Sequence, residues 1–405
     1  MNKSFFINSL VLIYSLFIIV CSGLYINGFF LLDNNGLYLS FITLIYLMVF
    51  CVELQGQDKT ISFLLLLSGV CSLICFLTNN ILVFWLSYEL TIFPLLFLIL
   101  FWSPYSERFI ASWYLMGYIL FTSLPMLLIF IIYYFNNLNL SALVYTYNNI
   151  NILLVIILSF IFFTKVPYPP FHSWLPIVHA EASNLVSMAL SGYVMKLGLI
   201  GIFRFCLLNN LYFLEFYLFI CFFFSLYFLC SAIKELDYKR WLAYLSLSHI
   251  QIAGVGLLVS YFLNYEQVFL YSLGHGLSAI LLFFFLGQLA DLTGSRNWLI
   301  LLNANQNGII FLTFFSLGLL TAASFPPTLQ FFIEVNILSQ SQFYYFLIFC
   351  FIFYIFLAGL VPMLILASSI VNAQLKVNMS FVSQYNFIIL SILILFSFCL
   401  FIFII

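Results

Sequence analysis

The chain of 405 residues is 66% hydrophobic and 6% charged, with a formal net charge of -1. Its 11 basic and 12 acidic residues cannot cover a water-soluble body of this size, so the bilayer is its natural solvent. The near-neutral balance excludes a basic surface for nucleic acid, and nine cysteines scattered without a CxxC pair indicate neither a disulfide framework nor a metal cluster.

The chain starts MNKSFFINSLVLIYSLFIIVCSG, with the lysine and apolar centre of a signal peptide. The run has the length of a membrane span and others follow at once, so it reads as a retained first helix. Helices crossing about 30 Å of hydrocarbon need roughly 20 residues each. Cutting the chain at charged or Asn/Gly/Pro-rich breaks gives thirteen spans: 5–22, 37–52, 61–78, 81–101, 110–134, 148–165, 184–206, 211–232, 241–262, 267–289, 308–336, 344–369 and 384–405. The expected fold class is therefore all-α, a polytopic transmembrane helical protein of about 13 spans.

With that count, Lys3, Lys59, Arg108, Lys234, Lys239, Arg240, Arg296 and Lys376 fall on the side of the N-terminus, and Arg204 on the other. Excess lysine and arginine marks the inner side, which predicts the N-terminus inside and the C-terminus outside.

Two spans are interrupted alike. NINILLVIILSFIFFTKVPYPPF contains Pro169-Pro170, and NGIIFLTFFSLGLLTAASFPPTLQFFIEVNI contains Pro326-Pro327. Proline removes a backbone donor and clashes with the preceding turn, so each helix must kink or open. In hydrocarbon, open backbone survives only against protein or a wet cavity. Each break lies fourth in a group of five spans, which predicts two five-helix repeats, inverted because five is odd, each with a discontinuous helix. The expected segments are 1–60 (N-terminal helices), 61–206 (first repeat), 211–370 (second repeat) and 384–405 (a C-terminal helix).

Ionisable residues inside these spans are the candidate site. Glu89 stands eight residues after Ile81, about 12 Å into its span. Lys196 is central in SNLVSMALSGYVMKLGLIGIFRF; Lys165 precedes the first Pro-Pro break and Glu334 follows the second. A charge at bilayer centre costs ~2.5–3.5 kcal/mol on insertion scales unless water or a partner relieves it. Such groups either pair statically to fix packing, or store and relay protons; burial favours their neutral forms and an opposite charge their ionised forms. His249 in LAYLSLSHIQIAG is read equally as a helix–helix hydrogen bonder or a relay group. His275, between Gly274 and Gly276, favours the relay.

His172 and His179, with Glu181, surround Pro176 and lack the i,i+4 face of HExxH, so a metal site is not expected there. The histidines are expected to satisfy freed backbone or hold water leading towards Lys165. No dinucleotide, P-loop, haem or iron–sulfur motif is present, so electrons are not expected to move through this chain.

The stretches FWLSYELTIFP, FFTKVPYPPFHSWLPIVHAEAS, SMALSGYVMKLGLIGIFRF, RWLAYLSLSHI, GHGLSAILLFFFLGQLADLTGSRN and SFPPTLQFFIEVNIL resemble, in order, the antiporter-like membrane subunits of respiratory complex I. The resemblance covers about residues 81–340, and its KxPxxPxHxWLPxxHxEA pattern is specific. It implies a fourteen-span core with two inverted five-helix repeats, Glu89 paired with Lys165, Lys196 as central relay, His275 on the linking polar axis and Glu334 at the distal end. Glu89 falls on the fourth span counted here, where the family has it on the fifth, so one N-terminal helix is expected to be missing. The resemblance also implies proton translocation across the inner mitochondrial membrane, coupled to NADH:ubiquinone reduction elsewhere. The expected partners are other membrane-arm subunits, especially neighbouring antiporter-like ones, with lipid, protons and internal water. NADH, FMN, iron–sulfur clusters and ubiquinone would belong to the complex, and no cofactor to this chain. A stand-alone cation/proton antiporter subunit and a passive scaffold are the competing readings.

Overall fold

The computed structural model describes residues 25–26, 29–53, 58–137, 152–206, 212–259, 265–304, 309–341, 345–372 and 384–400. The expected first span, 5–22, with Lys3 and Lys376, lies outside them. The chain divides into two compact units, Met1–Leu218 and Phe219–Ile405.

In the first unit a two-residue hairpin, β1 (Tyr25–Ile26) and β2 (Leu31–Leu32), pairs antiparallel and leads into α1 (Asn34–Glu53). Helix α2 (Lys59–Leu77) is followed by α3 (Ile81–Trp102), whose start is capped by Asn80; its side-chain oxygen accepts from the N–H groups of Leu82 (3.0 Å) and Val83 (3.4 Å). That cap lets two apolar helices turn back on each other within three residues. Helix α4 (Arg108–Leu115) runs through a π turn, Met116–Leu120, into α5 (Phe121–Asn137). Helix α6 (Ile152–Lys165) stops at the prolines, and α7 (Trp174–Glu181) resumes beyond them. Helix α8 (Asn184–Ala189) passes through a second π turn, Leu190–Val194, into α9 (Met195–Phe205).

Helix α10 (Tyr212–Lys234) leads into the second unit. There α11 (Tyr238–Val259), α12 (Glu266–Thr293) and the short α13 (Trp298–Ala304) precede a second interrupted pair, α14 (Ile309–Ala322) and α15 (Leu329–Gln340). Helices α16 (Tyr345–Asn372) and α17 (Gln384–Cys399) complete the order.

Among the described residues, eight helices are long and apolar enough to cross a membrane. Their outward residues are themselves apolar, for example Phe63, Leu86, Phe93, Trp113, Leu128, Phe349 and Phe356. A helix apolar on every side is stable against both neighbours and lipid, which is why periodicity says little here. The expected spans 61–78, 81–101 and 267–289 correspond closely to α2, α3 and α12. The expected span 308–336 is two helices, because the stretch Ala323–Thr328 around Pro326-Pro327 is not helical.

The end of the first unit nearest β2 is fastened by charge. Arg204, on α9, donates to Asp33 Oδ1 (3.0 Å) and also to the carbonyls of Phe76 (2.8 Å) and Thr78 (3.2 Å). Asp33 Oδ1 accepts in addition from the Gly36 N–H (3.1 Å). Both side chains are buried, and the carbonyls of Phe76 and Thr78 and the Gly36 N–H add the hydrogen bonds that a buried ion pair needs. Helix α9 also lies close against α6. A Cβ at Gly198 would come within 2.5 Å of Val166 Cγ2, so the glycine permits contact between the two elements that carry Lys196 and Lys165.

Candidate functional site

Three of the candidate groups, Glu89, Lys165 and Lys196, lie in the first unit. Glu89 sits on α3, half-buried, and its carboxyl lines a cavity of about 450 Å³ with Trp85, Met116 and Ser123 among the walls. Ser123 reaches the carboxyl with its hydroxyl, and its own carbonyl accepts from Trp85 Nε1 (3.0 Å). Glu89 Oε1 is buried and has no hydrogen-bond partner among the described residues.

Lys165 is buried and ends α6, where a cation meets the negative end of the helix dipole. Its ammonium donates to the Ile119 carbonyl, within the first π turn, and lies 4.9 Å from the centre of the Tyr88 ring. The Ile119 carbonyl also accepts from the Thr122 hydroxyl (3.0 Å), and Thr164 Oγ1 lies 3.4 Å from Thr122 Oγ1. Glu89 and Lys165 are within electrostatic reach of each other. They form no direct salt bridge, unlike Arg204–Asp33 and Arg296–Asp237.

Lys196 is fully buried, and its ammonium donates to the Ser191 carbonyl in the second π turn. Both lysines thus rest on carbonyls of widened helical turns, a distortion that recurs at functional positions.

The two histidines of this unit lie in the break after α6 and in the helix just beyond it. His172 is half-buried and hydrogen-bonded to the backbone of Pro170, so its ring satisfies backbone that the prolines opened. His179 is fully buried within α7. Glu181 Oε2 accepts from the Glu107 N–H (3.2 Å) just before α4, and its carbonyl accepts from Ser103. Glu181 therefore ties the resumed helix to the start of the helix whose π turn holds Lys165. Among the described residues no group of three or more His, Cys, Asp or Glu is placed to hold a metal ion.

The second unit contains a hydrogen-bonded chain. His249 on α11, Tyr271 and His275 on α12, and Glu334 on α15 are all buried. Tyr271 Oη lies 3.1 Å from His249 Nδ1 and donates to Glu334 Oε1 at 3.2 Å. Tyr354 Oη, from α16, lies 2.8 Å from the same His249 nitrogen. The other carboxylate oxygen of Glu334 accepts from Ser324 (2.8 Å). Ser324 occupies the break before Pro326-Pro327 in a left-handed backbone conformation, φ 46°. The interruption thus places a hydroxyl where a continuous helix would have none to offer. The rings of His249 and His275 are 5.6 Å apart.

Gln330 packs beside this cluster, its amide oriented to give N–H to the Thr321 carbonyl (2.8 Å) and to accept from the backbone N–H of His275 (3.2 Å). A Cβ at Gly274 would approach Gln330 Cγ to 2.9 Å, so that glycine lets α12 and α15 come together.

His249, Glu334 and, by ring proximity, His275 are thus brought together, as are Glu89 and Lys165 at longer range. Tyr271, Tyr354 and Ser324 were not legible as site residues. Tyr271 lies four residues before His275, on the same helical face, but 26 tyrosines make that spacing uninformative alone.

Acids, lysines and histidines set among apolar helices, several of them of membrane-crossing length, define a membrane protein with an ionisable interior. The chain belongs to the NADH:quinone oxidoreductase/Mrp antiporter transmembrane family, whose profile matches residues 78–358. It is 31% identical over 328 residues to NADH-ubiquinone oxidoreductase chain 4 of Ceratitis capitata, covering 78% of this chain and 72% of that one. Identity to the protein of the same description from Caenorhabditis elegans is 30% over 265 residues, 65% of this chain and 63% of the relative. The match to the Rhipicephalus sanguineus protein spans 53% of that relative's length, at 31% identity over 56% of this chain. In structure it resembles a chain of respiratory complex I from Thermus thermophilus with a TM-score of 0.85, covering 98% of this chain and 90% of that one at 16% identity. A chain of the Mrp complex from Dietzia sp. gives a TM-score of 0.73 at 16% identity, covering 94% and 76%. At these identities the likeness establishes the fold.

Proposed function

We propose that the chain is an antiporter-like membrane-arm subunit of mitochondrial NADH:ubiquinone oxidoreductase, corresponding to chain 4, that carries protons across the inner membrane. The observation that carries this reading is the buried chain His249–Tyr271–Glu334, in which neighbouring proton-bearing groups lie at hydrogen-bond distance. Inside a membrane such groups are costly unless partners or water relieve them, and where they occur they mark ion or proton paths. The family membership and the relatives described as chain 4 support the assignment to complex I.

In this reading each unit holds one set of switching groups. Glu89 and Lys165 favour each other's charged forms through electrostatics, while burial favours the neutral pair. A proton displaced nearby tips that balance. Lys196, resting on the Ser191 carbonyl, gives up and regains a proton as the central basic relay. His249, His275 and Glu334 carry it through the second unit. The thirteen-span arrangement as two inverted five-helix repeats belongs to this proposal, supported by the matched helix–break–helix pairs around Pro169-Pro170 and Pro326-Pro327. So does the orientation, with the N-terminus in the matrix and the C-terminus in the intermembrane space. Electron transfer, with NADH, FMN, iron–sulfur clusters and ubiquinone, is assigned to partner subunits.

The test is isolation of the chain from its native membrane in mild detergent. Co-purification with flavin and iron–sulfur proteins is expected. Recovery in a stable complex lacking both would contradict the complex I assignment and favour a stand-alone antiporter.

A further inference from the structure

We propose that Tyr271 is the proton bridge between His249 and Glu334, its phenol passing a proton from imidazole Nδ1 to carboxylate Oε1. The inference rests on the relay reading above and deepens it by naming the group that connects two of its members.

The donor count sets the direction. An ionised carboxylate only accepts, and Ser324 already donates to Glu334 Oε2 at 2.8 Å, so the single phenolic proton of Tyr271 points at Oε1, 3.2 Å away. The Tyr271 oxygen then presents lone pairs to His249 Nδ1 at 3.1 Å, and this contact is attractive only if Nδ1 carries hydrogen. Tyr354 Oη lies 2.8 Å from the same nitrogen, and its phenol oxygen can accept from Nδ1–H alongside Tyr271. Three helices, α11, α12 and α15, therefore supply a chain polarised from histidine to glutamate.

Two bonds break and two form in the step. The Nδ1–H proton of a His249 imidazolium moves to the Tyr271 oxygen as the Tyr271 proton moves to Glu334 Oε1. An imidazolium and a carboxylate become a neutral imidazole and a neutral carboxylic acid, and the phenol ends unchanged. Rotation of the phenol O–H about its C–O bond resets the bridge once Glu334 has lost its proton. Tyr271 is 1% exposed, so bulk water does not replace its hydroxyl without repacking.

The experiment uses the intact complex carrying Tyr271→Phe, which removes one oxygen and keeps the ring, beside Glu334→Gln. Coupled NADH:ubiquinone turnover is expected to fall at least about tenfold in Tyr271→Phe, within the range that one lost proton-transfer group removes. The Glu334 carbonyl stretch, identified in infrared difference spectra by its disappearance in Glu334→Gln, should shift to higher frequency in Tyr271→Phe as a hydrogen bond is lost. Full turnover with an unshifted band in Tyr271→Phe, while Glu334→Gln stalls, overturns the bridge and leaves the relay reading standing. Full turnover and pumping in both variants overturns the relay reading as well. If Tyr271→Phe does not assemble, the parent complex decides. Tyrosine modes must then change together with the Glu334 carbonyl band, and silent tyrosine modes overturn the proposal.

Discussion

Lys196 donates from its ammonium to the carbonyl of Ser191, five residues earlier in the same interrupted helix. The contact lies inside a fully buried stretch, Leu185–Ile202, and the π turn Leu190–Val194 widens the helix where the side chain reaches back. In the relay reading this buried ammonium, held on the Ser191 carbonyl, gives up and regains a proton as the path operates. Lys196→Met is therefore expected to assemble, since it removes a buried charge and keeps an unbranched chain of similar length. Lys196→Arg should not restore coupled turnover, since guanidinium stays protonated at any accessible pH. Native-gel assembly together with NADH:ubiquinone turnover checks both; full activity in the arginine variant would contradict a deprotonating role.

Glu89 and Lys165 are expected to act as one unit despite the absence of a direct salt bridge. Thr122 and Ser123 approach the two groups from adjacent positions on α5, one at the carbonyl that holds Lys165 and the other at Glu89. A double-mutant cycle of Glu89→Gln and Lys165→Met on coupled turnover should be strongly non-additive, the double variant losing little more than either single one. Independent losses that add in free energy would show the pair to be uncoupled.

Asp33 and Arg204 make a structural prediction. Removing one member of a buried ion pair leaves an uncompensated charge and costs about 3–5 kcal/mol. Asp33→Ala should lower the thermal stability and steady-state level of the assembled subunit. Asp33→Leu combined with Arg204→Leu should recover part of the loss. Unchanged stability in Asp33→Ala would mean that the Phe76 and Thr78 carbonyls suffice to hold the guanidinium.

Topology is expected to follow the basic residues. Protease or thiol-label accessibility should place the Lys234–Arg240 connection on the matrix side, with the C-terminus on the opposite face. Label reaching both from the same side would contradict the thirteen-span count.

The interruptions at Pro169-Pro170 and Pro326-Pro327 were legible in the sequence because proline chemistry is local and overrides any apolar context. Glu89, Lys165, Lys196 and Glu334 were legible because so few charges exist in the chain that each one inside a span stands out. The partners of those charges were not. Ile119 and Ser191 contribute main-chain carbonyls, which carry no mark in the residue code. Arg204 and Asp33 are 171 positions apart, and Tyr271 reaches Glu334 across 63. Gly198 admits Val166 and the Lys165 segment at close range, a fact of packing between helices that one helix cannot reveal. Helices α7 and α13 were missed because eight- and seven-residue segments fall below the length that separates a span from a loop.

The central claim, that protons cross through buried groups of this chain, is tested most directly by the proton-to-electron ratio of the intact complex carrying Lys196→Met. The ratio is measured in sealed vesicles beside the parent complex. The account predicts assembled complex with sharply reduced NADH:ubiquinone turnover, and with fewer protons moved per electron in whatever turnover remains. Parental turnover at the parental proton-to-electron ratio would contradict it and remove Lys196 from the path.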